Sequence, residues 1–170
     1  MTTVDINLFV PAPQPAVSPV VVRRAMVTDV PQLAAMINHY AAQGMMLPKT
    51  NAQLYNHIRD FMVAEIDDQV VGCAGLKITW ADLAEVISLV VSPTCQGRGI
   101  GRKLVEPLLE DAQTLGIPKV FALTYQVQFF HRLGFHIVPR ESLSQKVWQD
   151  CVQCPKQDRC DEIAMIREVL

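Results

Sequence analysis

Three glycines at alternate positions, Gly97, Gly99 and Gly101, stand where an apolar run gives way to a helical pattern in SLVVSPTCQGRGIGRKLVEPLLEDA. Glycine is a poor helix former, so its use three times at a helix start needs a reason. The first turn of a helix leaves backbone N–H groups without partners, and with the positive end of the peptide dipoles these form an anion site. A side chain at any of the three positions would hold a phosphate away from those N–H groups, whereas glycine lets oxygen reach them. Arg98, Arg102 and Lys103 add cations for more than one phosphate. A turn of purely conformational origin is the alternative, but the motif follows a buried strand and opens an amphipathic helix, the setting an anion site requires. The spacing is not that of a dinucleotide fingerprint, and no Gly-Lys-Ser/Thr follows to make a Walker A loop.

A second cluster is CVQCPKQDRC, in which Cys151, Cys154 and Cys160 give C-x2-C-x5-C. The first spacing suits zinc or iron–sulfur binding, with His131, His136 or Asp161 open as a fourth ligand. Only three thiols are present locally and no second Cys pair follows, so reduced structural thiols are the favoured reading and no metal is expected. Cys73, within an apolar strand, reads as core.

The elements that must position these groups follow from periodicity and turn residues. Residues 1–19 carry PAPQPAVSP, four prolines in nine positions, and read as a mobile leader ahead of one folded domain over 20–170. VVVRRA predicts a first strand. TDVPQLAAMINHYAAQG predicts a helix with Thr28 as N-cap and Gly44 beyond its end, and Thr50 caps a second helix. FMVAEIDDQVVGCAGLKITW reads as a hairpin turning at Asp67-Asp68. AEVISLVV, 84–91, is nearly continuous in apolar residues and suits a central strand covered on both faces. After the glycine motif, Leu104, Leu108, Ala112 and Leu115 mark a helix stripe, and Gly116 with Pro118 stops it. KVFALTY is a strand, QFFHRL a short helix closed by Gly134, FHIV a strand, LSQKVWQDC a helix capped by Ser142, and EIAMIREVL a last strand. Strands interleaved with helices behind a hairpin indicate an α/β domain with a mixed sheet.

With 170 residues and 50% hydrophobic composition the chain can bury one sizeable core. Its net charge of −2, from 15 basic and 17 acidic side chains without a block of like charge, speaks against nucleic acid as a partner. No run is long and apolar enough to span a bilayer, MTTVDINLFV is not a secretory signal, and five cysteines argue for a reducing compartment. A soluble, cytoplasmic protein without a membrane partner is expected.

The order of these motifs resembles the GNAT superfamily of acetyl-coenzyme A-dependent N-acetyltransferases. There a glutamate-bearing strand runs through Val-Ser-Pro into Q/R-x-x-G-x-G/A, here Gln96, Gly99 and Gly101, and an aromatic-x-x-x-Gly-Phe segment appears here as FFHRLGF. Within the superfamily the likeness is nearest to the short form of amino-acid N-acetyltransferase, the N-acetylglutamate synthase type. It is carried by GMMLPKTNAQLYNHIRDFMVAE, VVGCAGL, DLAEVISLVVSP, KVFALTY and ESLSQKVWQDCVQCPK. The resemblance implies a mixed, mostly antiparallel sheet flanked by helices and splayed between its fourth and fifth strands to admit acetyl-CoA. The pyrophosphate would lie on Gln96, Gly97, Arg98, Gly99, Ile100, Gly101 and Arg102, and the pantetheine arm would pair with Leu89, Val90 and Val91. Long relatives carry an amino-acid kinase domain for arginine feedback; here the proline-rich leader precedes the first strand. Family members commonly form homodimers, so a second copy is among the expected partners.

The chemistry implied is acetyl transfer to the α-amino group of a small amino acid, with glutamate leading, as in arginine biosynthesis. An α-amino group with a pKa of about 8 is mostly protonated at neutral pH and needs a base before it can attack a thioester. Glu85 occupies the place of the family's general base, in an apolar strand eleven residues before Gln96. The other reading is a strand-end glutamate in water. The Val90 N–H is the implied oxyanion partner. Many members protonate the departing thiolate with a tyrosine where this chain has Phe129 and Phe130, which leaves Tyr125 either as a substitute acid or as a packing residue with a bonded hydroxyl. Lys49 matches a basic position of the synthase-like proteins and is the first choice for a substrate carboxylate, with Ser88 and Thr124 as further substrate contacts. Lys77, Arg140 and Lys146 are weaker choices, and Gln126 stands where long relatives have arginine. Two rivals stay open: acetylation of another amine, such as a protein N-terminus, polyamine or drug, and a non-catalytic module that binds CoA or a metal.

Overall fold

Asp67 and Asp68 both take positive φ, 50° and 61°, the type I′ turn that matches the twist of a two-residue hairpin and that short polar side chains tolerate. Around that turn the computed structural model, which describes residues 18–143, 152, 154, 156 and 159–170, builds one mixed sheet. Strands β1 (Val21–Arg24), β2 (Phe61–Ile66), β3 (Gln69–Trp80) and β4 (Leu83–Val91) form an antiparallel meander. β5 (Lys119–Thr124) joins β4 in parallel, and β7 (Ile163–Glu168) lies antiparallel between β5 and the two-residue β6 (His136–Ile137). The order is β1-β2-β3-β4-β5-β7-β6, so the apolar 84–91 run is central, as its composition predicts. The reading of residues 1–17 as a leader, and most of the helix expected after Ser142, lie outside the described residues. Ser142 itself ends a 3-10 turn and gives its hydroxyl to the Pro139 carbonyl at 2.6 Å.

Helix α3 (Ile100–Thr114) covers one face, its Ile100, Leu104, Leu108 and Ala112 packing on Ala74, Val86, Val120 and Ala122. Helix α1 (Val30–Ala41) and helix α2 (Asn51–His57) cover the other, where Leu33, Ile37 and Leu54 meet Phe61, Val63 and Val90. A smaller cluster of Leu83, Phe121, Leu143 and Ala164 continues that second face. Helix α4 (Val127–Arg132) closes at Gly134, whose φ is 83°. No helix among the described residues is long and apolar enough to cross a membrane.

Thr50 caps α2 as expected, accepting the Gln53 N–H while the Gln53 amide returns to the Thr50 N–H. Thr28 does not cap α1. It lies in a 3-10 turn; Asp29 stands at the N-cap position of α1 without a side-chain bond to that helix, and its carboxylate instead closes the 3-10 turn by accepting the Met26 N–H at 2.7 Å. Asp29 also receives both terminal nitrogens of Arg23, which in turn reaches Glu65 on β2. These bonds from Arg23 hold the buried Asp29 carboxyl below the usual carboxylate range. A carboxyl lowered in the folded state stabilises fully above its unfolded pKa of about 3.9, and that stability is lost as pH falls through the lower folded value. Arg23→Met is therefore expected to cost about 1–3 kcal/mol at neutral pH by leaving Asp29 short of donors. Denaturant unfolding below pH 4 should show a smaller acid-induced loss in Arg23→Met than in wild type.

Candidate active site

β4 and β5 pair only at Leu83↔Lys119, Ala84↔Val120 and Glu85↔Phe121. Beyond Glu85 the two strands part, while β4 runs on to Val91 against β3. A bulge accompanies the parting: between Gly75↔Ile87 and Cys73↔Val90, β3 advances two residues and β4 three, and Ser88 takes φ 51°. The Ser88 carbonyl accepts the Cys73 thiol at 3.6 Å. Complete burial pushes that thiol up to about 12, so it keeps its proton and stays a donor. Past the bulge, Ser92 N–H bonds to the Val71 carbonyl at 2.7 Å. Antiparallel alternation then turns Val90 toward Cys73 on β3 and turns the Val91 main chain toward the gap. There the Val91 carbonyl accepts the Tyr40 hydroxyl at 3.1 Å and the Gln96 amide at 3.3 Å. The register thus sets Val90, the expected oxyanion partner, opposite Cys73 on β3 and leaves the Val91 main chain on the side of the gap.

The gap opens into a cleft of about 650 Å³ that runs to the glycine motif. The first helical bond of α3 is Lys103 N–H to the Gly99 carbonyl at 3.2 Å, so the amides of Ile100, Gly101 and Arg102 precede it, and no side chain caps them. Gly97 and Gly99 have φ 77° and 74°, and a Cβ on either would meet nothing within 4 Å. Uncapped amides facing open space fit an anionic group. Gly101 has a different reason: its Cβ would stand 3.0 and 3.2 Å from the Phe129 ring, so it is the approach of α4 to α3 that excludes a side chain there. Leu89, Val90, Val91, Gln96, Gly97, Gly99, Ile100, Gly101 and Arg102 all line the cleft. Arg98 does not, and its guanidinium donates to the Ser18 carbonyl at 2.9 Å. Arg102 is paired with Glu106 at 2.6 Å.

Of the expected acceptor-side residues, Ser88, Thr124 and Tyr125 line the opposite end, whereas Glu85 and Lys49 lie outside the lining. Glu85 is half-buried and, through its register with Phe121, shares the face of the sheet turned away from α3, with Lys77 directly across on β3. A cation thus neighbours a carboxylate whose surroundings read as apolar in the sequence. Ser88 and Thr124 line the cleft, the latter with its hydroxyl oxygen accepting the Gln126 N–H at 2.8 Å. Lys49 does not line it; its main-chain N–H and carbonyl both bond to the Asn38 amide. Tyr125 lines the cleft, donates its hydroxyl to Asp161 at 2.7 Å and accepts from Lys156 at 3.2 Å. Desolvation, then the bond to Asp161, pushes its phenol up, so it stays protonated. Phe130 is core, edge-on to Phe129 and Phe135. Of the cysteine cluster, Cys151 lies outside the described residues, and among those described no group of three or more His, Cys, Asp or Glu could hold a metal. Among the lining residues, sequence reasoning missed Tyr40, whose spacing marks it as core stripe, and Glu162, two residues after the last thiol.

Gly101→Ala should stabilise by about 1 kcal/mol through helix propensity in a Phe129→Ala background and by less in wild type, where the Phe129 ring must give way. Unfolding of the single and double variants should show coupling of more than about 0.5 kcal/mol between Gly101→Ala and Phe129→Ala. Gly97→Ala should cost about 1 kcal/mol through its positive φ alone and add to Phe129→Ala without coupling.

A profile of the acetyltransferase (GNAT) family matches residues 33–135. An uncharacterized N-acetyltransferase of Chlorobaculum tepidum is 39% identical over 146 residues, covering 86% of this chain and 94% of that protein. An amino-acid acetyltransferase of Mycobacterium tuberculosis is 37% identical over 133 residues, 76% of each chain. Among solved structures, Rv2747 from Mycobacterium tuberculosis in complex with CoA and NLQ superposes with a TM-score of 0.76 at 32% identity, over 88% of this chain and 99% of that one. N-acetylglutamate synthase from Neisseria gonorrhoeae, complexed with coenzyme A and N-acetyl-glutamate, gives 0.79 at 30% identity, over 90% of this chain and 36% of that longer one. Because the match takes in the parted strands and the glycine loop that together shape this cleft, the chain belongs to the acetyltransferase (GNAT) family.

Proposed function

We propose that this enzyme transfers the acetyl group of acetyl-CoA to the α-amino group of a small amino acid, with glutamate the leading acceptor. The observation that carries the reading is the cleft that runs from the uncapped first turn of α3, through the gap between β4 and β5, to Leu123 and Tyr125, on the sheet face that Glu85 shares from outside the lining. The names of the relatives and the molecules bound in the solved ones support it.

Acetyl-CoA, when bound, supplies an activated thioester carbonyl. The chain's part is to hold its diphosphate on the amides from Gly97 to Arg102, and to keep an extended arm in place of a strand beside Leu89 and Val91. Glu85 takes the proton from the acceptor ammonium, directly or through one water, leaving the lone pair that attacks the carbonyl carbon. The Leu89 and Val91 amides, in place of Val90, face the developing oxyanion. A thiol with a pKa of about 8.5 leaves tolerably as thiolate, so no dedicated acid is required. The Tyr125 hydrogen is already committed to Asp161, which suits a positioning role for that ring. The four described cysteines are all free thiols, in keeping with work in a reducing cytoplasm.

The rival acceptor is a polyamine or other amine without a carboxylate, favoured by Asp161 and Glu162 near the acceptor end. Thiol release with glutamate, glutamine and spermidine separates the two. Glu85→Gln should lower kcat by about 10²–10⁴ while CoA affinity measured by calorimetry is retained. Full turnover by Glu85→Gln would remove it as base, and turnover of spermidine alone would replace the acceptor.

A further inference from the structure

We infer that Tyr40 is a positioning residue for acetyl transfer. With Gln96 it fills the Val91 carbonyl, so that Val91 shows the gap a donor and no free acceptor. The arm of acetyl-CoA then settles there only with a carbonyl oxygen against the Val91 N–H. The inference rests on the reading of this chain as an acetyltransferase whose cofactor arm lies along β4, and deepens it by naming what fixes the register of that arm.

Val91 ends β4 beyond the last β4–β5 pair, Glu85↔Phe121, so among the described residues no strand pairs with its gap side. The Ser92 N–H, bonded to the Val71 carbonyl at 2.7 Å, points to β3, and by alternation the Val91 N–H and carbonyl point the other way. A carbonyl oxygen has two lone pairs. The Tyr40 hydroxyl donates to this one at 3.1 Å and the Gln96 amide at 3.3 Å, and that amide also reaches the Tyr40 oxygen at 3.3 Å. Both lone pairs are thus taken, and the N–H is the main-chain group that Val91 leaves to a ligand. An arm of amide and thioester groups carries donors and acceptors alike, and slips readily along a strand that offers both. Beside Val91 a slipped arm would set an amide N–H against a filled carbonyl and leave it unpaired.

Tyr40 is held firmly enough to do this. Its ring packs on the cluster of Leu33, Ile37 and Val90 between α1 and the sheet. Its own carbonyl accepts the Gln43 N–H at 3.1 Å and the Met45 N–H at 3.2 Å, in the turn that ends α1. Met45 and Met46 line the cleft, as do Tyr40, Val91 and Gln96. One residue therefore sets the Val91 carbonyl through its side chain and the Met45 turn through its main chain. A hydroxyl that merely satisfied a carbonyl in an open cleft could be replaced by water; what water does not supply is a fixed direction.

The test is Tyr40→Phe, which keeps the ring and deletes the hydroxyl, with Gln96→Leu at an exposed position as the second variant, both in the full chain. In wild type, coenzyme A should shift the Val91 amide signal in NMR and leave the Val91 carbonyl carbon signal in place. In either variant the carbonyl signal should move as well, because a lone pair is open to the arm. Tyr40→Phe should lower kcat roughly tenfold without raising the KM for acetyl-CoA, since an arm out of register is held but not aligned. A wild-type carbonyl signal that moves as it does in the variants, or a Tyr40→Phe with wild-type kcat, would overturn the role of Tyr40 alone. So would a raised KM for acetyl-CoA with kcat unchanged, the mark of a contact that only supports binding. A wild-type chain in which coenzyme A moves neither Val91 signal would overturn the placement of the arm, and the role of Tyr40 with it.

Discussion

The parting of β4 from β5 is the constraint on which the site depends. Two strands that pair for only three residues and then diverge leave main-chain groups facing a gap, and such groups are costly unless something occupies them. The fold answers part of that demand itself, since Tyr40 and Gln96 capture the Val91 carbonyl. The rest is left open to the cleft, where the proposed extended arm of acetyl-CoA would take the place of a strand. Ser88 makes the parting local: an extra residue with φ 51° shifts β4 against β3, and the buried Cys73 thiol holds the bulged carbonyl from behind.

Everything else in the cleft is arranged along that gap. At one end Gly97 and Gly99 leave the first turn of α3 open, because their positive φ suits glycine and no side chain stands before the amides. At the other end Tyr125 and Glu162 line the cleft on the face away from α3, which Glu85 shares from outside the lining, and Lys156 ties the Gly44 carbonyl to Tyr125 behind it. The cleft thus passes from the open turn before α3 to the sheet face turned away from that helix, and the gap between β4 and β5 joins the two.

Much of this is legible in the residues. The continuous apolar character of 84–91 signals a central strand, Asp67-Asp68 signals the hairpin, and the three glycines before an amphipathic stripe signal an open helix start. What is not legible depends on partners distant in the chain. Gly101 looks like part of the phosphate motif, yet Phe129 is what excludes its side chain. Lys156 meets Gly44 across 112 residues and Tyr125 across 31, so no local spacing reveals it. Thr28 has the right chemistry for a cap, but it falls inside the 3-10 turn before α1, a turn closed by Asp29, whose carboxylate also meets Arg23 from β1. Lys49 carries the expected charge, while the packing of its main chain on Asn38 leaves it outside the cleft lining.

The most direct measurement is the response of backbone amides to coenzyme A in heteronuclear NMR. The account predicts saturable shifts concentrated at Gly97, Gly99, Ile100, Leu89 and Val91, with β1 and β6 unaffected. Coenzyme A that binds without moving the Gly97–Ile100 and Leu89–Val91 amides, or that does not bind at all, would contradict it.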